Sequence, residues 1–483
     1  MKMTFRRMLS GLGLALLAAV SARAESIDGP LIDLYATGSM TAAAPAAPAL
    51  NDAACEPDGA ARPLELEDVM LRAVCANPQV RQAWADARAQ AAQVGVEEAA
   101  YLPTLNGSVG IQRDNLATTY AVPGYGPYTQ TQRSTSRYGS IDLSWVLFDF
   151  GRRGFSVRRA RALVAAANAT HDDMLQTVLL NAAQAYYDLR AAEGSKVAAH
   201  AAEDAARESL EVAKARHDAG AGELGDELQA QTMYRRAIVD RVAAEGAVET
   251  ARGTLAVAMG LPADRPIQLA SDQPLIDRHA FDDGVSRLID EAQASHPKLV
   301  AARAKLDAAR ANVDAVRAQG LPSIALTGSL SRNNPAYQQQ PEQVPVTSSR
   351  GSSIGIRITI PLFDGFASSY RVAAARAQVA STEAALQADE LQVSLDVWKS
   401  YQSLRVDTDN LDNTEALLAY AHRSLEVARG RYKAGVGTFT ELMTAQTASA
   451  DAEKQRVRAL SEWRAARLKL AESLGNIRLE SDR

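Results

Sequence analysis

The chain predicts an α+β membrane protein, in which four β-strands belong to a transmembrane β-barrel and are continued by exceptionally long α-helices. Three observations carry that prediction. The second half of the chain repeats the first, two proline-free runs are each long enough for one very long helix, and four segments alternate apolar and polar residues with period two.

The repeat has a nearly constant offset. Ser209-Leu210-Glu211-Val212-Ala213 recurs as Ser424-Leu425-Glu426-Val427-Ala428, 215 residues on. At that offset Arg216 falls on Arg431, Gly220 on Gly435, Gly222 on Gly437, Leu147-Phe148-Asp149 on Leu362-Phe363-Asp364, and Gly260 on Gly475. Asn77-Pro78 and His296-Pro297 stand 219 apart, as do Leu102-Pro103 and Leu321-Pro322. Four residues are thus lost between Pro322 and Phe363, where a loop can absorb them. So long a period marks a duplicated structural unit. The units are expected over 64–275 and 276–478, followed by a tail at 479–483.

Ahead of them, Lys2, Arg6 and Arg7 precede an apolar run from Leu9 to Val20 and then Ala22-Arg23-Ala24. This is the pattern of a signal peptide, residues 1–24, cut after Ala24. The run is too short to span a bilayer, and no other stretch approaches the roughly 20 apolar residues a membrane-spanning helix needs. Residues 25–63, rich in Ala and Pro, read as an irregular tether. Cys55 and Cys75 are the only cysteines. In an oxidising compartment they either pair or stay free thiols. A net charge of −5 over 483 residues argues against a nucleic-acid partner.

From Gly154 to Gly220 and from Ser369 to Gly435 there is no proline, and Ala, Glu, Gln, Arg and Leu dominate. Each run makes a helix of roughly 100 Å at 1.5 Å per residue. The strands come in two pairs. Leu105, Gly107, Val109 and Ile111 alternate with Asn106, Ser108 and Gly110; Ile141, Leu143, Trp145 and Leu147 alternate with Asp142 and Ser144. Ile324, Leu326, Gly328 and Leu330 alternate with Ala325, Thr327 and Ser329; Ile354, Ile356, Ile358 and Ile360 alternate with Ser353, Gly355, Arg357 and Thr359. Strands of about 8–10 residues with an apolar outer face and a polar inner face suit a barrel in lipid. On that parity Asp142 and Arg357 face the lumen. Polar stretches, Gln112 to Arg137 and Ser331 to Arg350, read as exposed loops of two hairpins.

Four strands cannot close a barrel, and an open edge in lipid leaves backbone groups unpaired. The chain must therefore assemble, and three copies give twelve strands. Pro103 and Pro322 mark the handover from helix to strand. Asp149 and Asp364 stand where they can cap the long helix on the return. The alternative is a periplasmic coiled-coil spacer with an incidental sheet.

No catalytic constellation appears. The six histidines form no close metal-ligand spacing, no phosphate loop or nucleophile elbow is present, and no cofactor is expected. The informative positions are the hairpin tips, Ala219-Gly220-Ala221-Gly222 and Ala434-Gly435-Val436-Gly437, whose glycines allow a long helix to reverse and another helix to approach.

Leu-Pro into the first strand of each unit, Leu-Phe-Asp after the second, and Arg431-Tyr432-x-Ala434-Gly435-x-Gly437-Thr438 leading to Glu441-Leu442-x-x-Ala445-Gln446 resemble the TolC family of outer-membrane efflux proteins. The resemblance covers about residues 64–478 and is similar in detail to the CyaE group of type I secretion components. It implies a homotrimer in the outer membrane of a Gram-negative bacterium, with a helical tunnel across the periplasm. It also implies a periplasmic adaptor and an inner-membrane ABC transporter or other pump as partners, passive transport of protein or small molecules, and no enzymatic activity. By the same resemblance Tyr432 matches the gating tyrosine and Glu441 the first acidic position of the periplasmic entrance, with Asp226 its counterpart in the first unit. Gly220, Gly222, Gly435 and Gly437 would meet the adaptor. The chain departs from the family pattern at Thr444, where a second acidic residue is expected, and at Gly437, where a basic residue ties the gate shut.

Overall fold

The computed structural model describes residues 33–41, 63–121, 123, 124, 126–270, 284–334 and 348–477. The expected signal peptide, Cys55, the boundary at 275/276 and the tail at 479–483 lie outside the described residues. Among these, the order is α1 (Leu66–Ala76), α2 (Pro78–Ala99), β1 (Thr104–Tyr120), β2 (Tyr128–Phe148), α3 (Arg152–Asp218), α4 (Leu224–Ala258), α5 (Val285–Ser295), α6 (Pro297–Gln319), β3 (Ser323–Asn334), β4 (Ser349–Thr359), α7 (Ala367–Lys433) and α8 (Phe439–Ser473).

The duplication holds to the residue in the length of the long helices. α3 and α7 each span 67 residues, and α4 and α8 each span 35. Each second helix ends on a left-handed glycine pressed against the joint between the unit's two short helices. At Gly260 (φ 76°) a side chain would lie 2.6 Å from the Ala76 carbonyl oxygen, and at Gly475 (φ 71°) 2.6 Å from Pro297 Cδ. Asn77 Nδ2 donates to the Ala258 carbonyl at 3.2 Å, closing the first junction. Those contacts tie the glycine pair to the Asn-Pro and His-Pro pair and explain why both recur. Cys75, at the end of α1, is disulfide-bonded.

The sheet is antiparallel throughout, in the order β1-β2-β3-β4. Its register joins the four apolar parities into one face: Leu105 lies opposite Leu143, Ile141 opposite Leu330, Leu326 opposite Ile356, and Ile324 opposite Ile358. That face is bare in the single chain, with Val109, Ile111, Ile354 and Ile356 all exposed. One correction concerns length. β1 and β2 run on through the polar segment expected as a loop, pairing up to Tyr120 opposite Tyr128. Cross-strand bonds such as Thr119 Oγ1 to Thr129 Oγ1 at 2.8 Å, and the stacked Tyr120 and Tyr128 rings, hold the extension together. A second concerns register: a bulge between Val146 and Phe148 takes Leu147 out of the β3 ladder and gives the Ile324 position to Phe148.

Within the segment expected as a tether, Asp33–Thr41 docks on the helices. Asp33 Oδ1 accepts from the Thr37 amide and Oδ2 from the Gly38 amide, both at 2.8 Å, shaping a 3-10 turn over Thr37–Thr41. Met40 packs on Ala91 and Val94 of α2 and Ala160 and Val164 of α3, whose small side chains leave the groove it fills. Its carbonyl accepts from Asn168 Nδ2 at 2.9 Å.

The two long helices are packed unequally. α3 lies between α2 and α6, whereas among the described residues α7 has α6 on one side and no equivalent neighbour on the other. In the single chain α3 therefore buries twenty residues and α7 only eight. Leu362, Phe363, Phe366, Tyr370, Leu391 and Trp398 are left exposed on and before α7.

Candidate functional site

The far ends of the two helical hairpins, α3–α4 and α7–α8, lie opposite the sheet and meet there. Both turns are Schellman motifs. The Ala221 amide donates to the Arg216 carbonyl at 2.8 Å and the Val436 amide to the Arg431 carbonyl at 3.0 Å, with Gly220 (φ 68°) and Gly435 (φ 76°) in the left-handed region. The four tip glycines separate into two kinds. A side chain at Gly220 would meet open space and one at Gly435 would come no nearer than 4.0 Å to Arg216 Nη2. At Gly222 and Gly437 it would meet Arg216 Cβ at 3.0 Å and Arg431 Cβ at 2.9 Å. Gly222 and Gly437 therefore make room for arginines of their own hairpins rather than for an outside helix.

Tyr432 is buried, only 3% exposed, in a cluster with Ala213, Ala230, Phe439, Leu442 and Met443. Its ring stands edge-on to Phe439 at 5.5 Å. Burial pushes its phenol above the ordinary value; the nearby Asp226 carboxylate adds to the shift and Arg216 opposes it. Asp226 sits in the first turn of α4, where a carboxylate suits the helix N-terminus. Glu441 occupies the same place on α8, its amide accepted by the Thr438 capping hydroxyl at 3.2 Å. Its carboxylate is half exposed and lies 3.7 Å from Arg431 Nε. Glu441 and Thr444 line one trough with Arg423, Val427 and Arg431, on the side of α7–α8 away from the Tyr432 cluster. The structure thus brings Tyr432 and Asp226 together and places Glu441 on another face.

Sequence reasoning passed over Arg216. Its Nη1 donates to the Tyr432 carbonyl at 2.8 Å, its guanidinium lies 4.9 Å from the Tyr432 ring centroid, and Nη2 reaches the Ala221 carbonyl at 3.4 Å. The repeat offered the signal, because Arg216 and Arg431 align and both serve their own turn: Arg431 Nη2 reaches the Val436 carbonyl at 3.4 Å.

At the opposite end, Asp142 and Arg357 lie on one face of the sheet. Asp142 faces Asn106 and Ser329, which faces Ser353, and Arg357 faces Ala325 four residues back along β3. Asp142 accepts from Ser140 Oγ at 2.8 Å. The handover into α3 depends on a residue the sequence reading missed, Arg153. Its Nε bonds the buried Asp149 carboxylate at 2.9 Å, while Nη1 and Nη2 donate to the Val146 and Leu147 carbonyls at the bulge, at 2.7 and 3.4 Å. Asp149 also accepts from the Arg153 amide at 3.3 Å and Asp364 from the Ser368 amide at 2.8 Å, so both carboxylates serve the first turn of the long helix from two residues before its N-cap.

A four-stranded open sheet with a bare apolar face, carried on two near-identical helical hairpins, is the architecture of an outer-membrane channel protein. The sequence model of the outer membrane efflux protein family matches residues 70–261 and 288–476, one stretch per unit, and the chain belongs to that family. Protein CyaE of Bordetella pertussis is 32% identical over 434 residues, 89% of this chain and 88% of that one. Outer membrane protein TolC of Salmonella enteritidis is 22% identical over 416 residues, 85% and 82% of the two chains. The solved CmeC outer membrane channel of Campylobacter jejuni shares the fold with a TM-score of 0.74 at 17% identity, covering 91% of this chain and 95% of that one. The chain is accordingly an outer-membrane protein reaching into the periplasm, and an efflux channel component of tripartite systems.

Proposed function

We propose that three copies of this chain close into a twelve-stranded barrel and a helical tunnel that passively conducts a secreted protein, as the outer-membrane component of a type I secretion system. The unequal packing of the long helices carries the reading. By the repeat, the neighbour missing from α7 is another copy's α2, standing where α6 stands against α3, and the free edge of β4 meets another copy's β1 as β2 meets β3. Such a head-to-tail contact closes into a ring, and twelve strands enclose a lumen. Asp142 and Arg357 then line the barrel and bias ion passage. Tyr432 and Asp226 lie at the periplasmic entrance. Glu441 forms one charged ring there, tempered by Arg431, and Gly220 and Gly435 present the open backbone an adaptor's helices would approach.

Similarity to CyaE over 89% of this chain favours protein cargo; the second reading, a small-molecule efflux duct, is favoured by similarity over 79% of this chain to the outer membrane efflux protein BepC of Brucella suis. Light scattering of the detergent-extracted protein, with detergent subtracted, should give the mass of three chains; a monomer or dimer ends the duct reading. Deleting the gene should abolish secretion of a protein and leave drug susceptibility unchanged; the reverse result would establish the second reading. In planar bilayers Glu441→Ala should weaken block by divalent cations severalfold, and an unchanged block would remove Glu441 from the pore.

A further inference from the structure

We propose that Arg216 is the latch that holds the entrance closed, a role that rests on the duct reading above. One guanidinium serves the C-terminal ends of two helices from different units. It donates to the Ala221 carbonyl just beyond α3 and to the Tyr432 carbonyl in the last turn of α7, and it covers the Tyr432 ring. A cation is favoured at each of these ends by the helix dipole and the unpaired carbonyls. The α7–α8 hairpin cannot swing away from α3–α4 without losing the bond and the ring contact together.

The rest of the tip is organised around this bridge. Gly437, where the family pattern places the latching basic residue, has no room for a side chain because Arg431 Cβ would lie 2.9 Å away. Arg431 turns to its own hairpin and to Glu441, and among the described residues it forms no equivalent bridge. His217, which stands where Tyr432 stands in the other unit, is engaged by Glu227 at 2.8 Å. Among the described residues, the other polar links between the hairpins near this level lie about two turns back from the tip: Gln446 Nε2 donates to Ser209 Oγ at 2.6 Å and to the Ala205 carbonyl at 3.4 Å, and Glu208 pairs, exposed, with Lys433 at 3.0 Å and with Arg429 at 3.7 Å. Exposed pairs of long side chains hold little.

The test is single-channel conductance of purified full-length trimers in planar bilayers. Arg216→Ala should shift the closed–open balance toward the open channel by about tenfold. Arg216→Lys, which keeps the charge but loses the planar fork, should restore only part of the closure. Glu208→Ala should change the balance by less than about twofold. If Arg216→Ala forms trimers that conduct like wild type, or if Glu208→Ala opens the channel as far, Arg216 is not the latch. Should the Ala variant fail to assemble, Arg216→Gln is read in its place, and failure of all three Arg216 variants to form trimers would assign the residue to folding instead. A wild-type protein that forms no pore at all would instead overturn the duct reading, a result distinct from an unlatched one.

Discussion

The two units of this chain share their helix lengths and hairpin turns, yet the same positions are held by different means. Where strand gives way to long helix, the first unit buries Asp149 against Arg153, whose guanidinium also serves the bulge carbonyls. The second unit has Ser368 at the position of Arg153, and Asp364 stays exposed. Between short and long helix, the first unit is sealed by Met40. The second has Arg310 and Glu383, a partly exposed pair at 2.9 Å, at the positions of Ala91 and Asn168. The backbone of the duplicated unit is thus robust to how its joints are made, and the joints are where the copies have diverged.

That comparison can be broken by urea or thermal melts of the detergent-extracted protein. Asp149→Ala strands a buried arginine and should cost about 3–5 kcal/mol, against about 1 kcal/mol for Asp364→Ala, which removes a cap and a loose, exposed pairing with Arg371. Equal losses would mean that the buried network adds nothing. Gly260→Val and Gly475→Val should each cost about 3 kcal/mol, from a left-handed backbone and a close contact. Here the two units should agree, and a large gap between the variants would show that the junctions are not equivalent. Met40→Asp should cost about 2 kcal/mol by opening an apolar groove, while Glu383→Ala should cost less than about 0.5 kcal/mol because its pair is half exposed.

The smallest effect concerns a charge that the first unit lacks, since Val257 stands where the second has Glu472. Burial above all, then Asp173 and Asp396, raise the Glu472 carboxyl, with Lys469 opposing. The folded protein therefore holds this proton more tightly than the unfolded chain, and ionisation costs stability as pH climbs from the ordinary carboxyl range through the raised value. Glu472→Gln should raise Tm by about 1 °C near neutral pH and leave it unchanged in acid. A rise of the same size in acid would trace to side-chain shape and not to charge.

Much of this architecture was legible in the residues. Absence of proline set the length of α3 and α7, and strand parity set which face is apolar, because both are local properties of the backbone. The turn glycines were legible for the same reason. The docking of Met40 was not, since an Ala- and Pro-rich stretch gives no sign that a groove awaits it. The extension of β1 and β2 was hidden because its Thr, Ser and Tyr residues pair across the strands without an apolar face. Arg216 was seen as a repeated residue but not as a joint, and Arg153 was not singled out at all: each acts on carbonyls brought close only by the fold.

The unequal exposure of α3 and α7 has a consequence for how such an object can be assembled correctly. A chain that contains two copies of one unit must first solve, within itself, the docking of one copy on the next. In the ring proposed above, the packing of α6 against α3 and of β3 against β2 inside one molecule is the same fit that neighbouring molecules would need. The rotation from unit to unit within the chain would then set the number of copies at which the ring could shut.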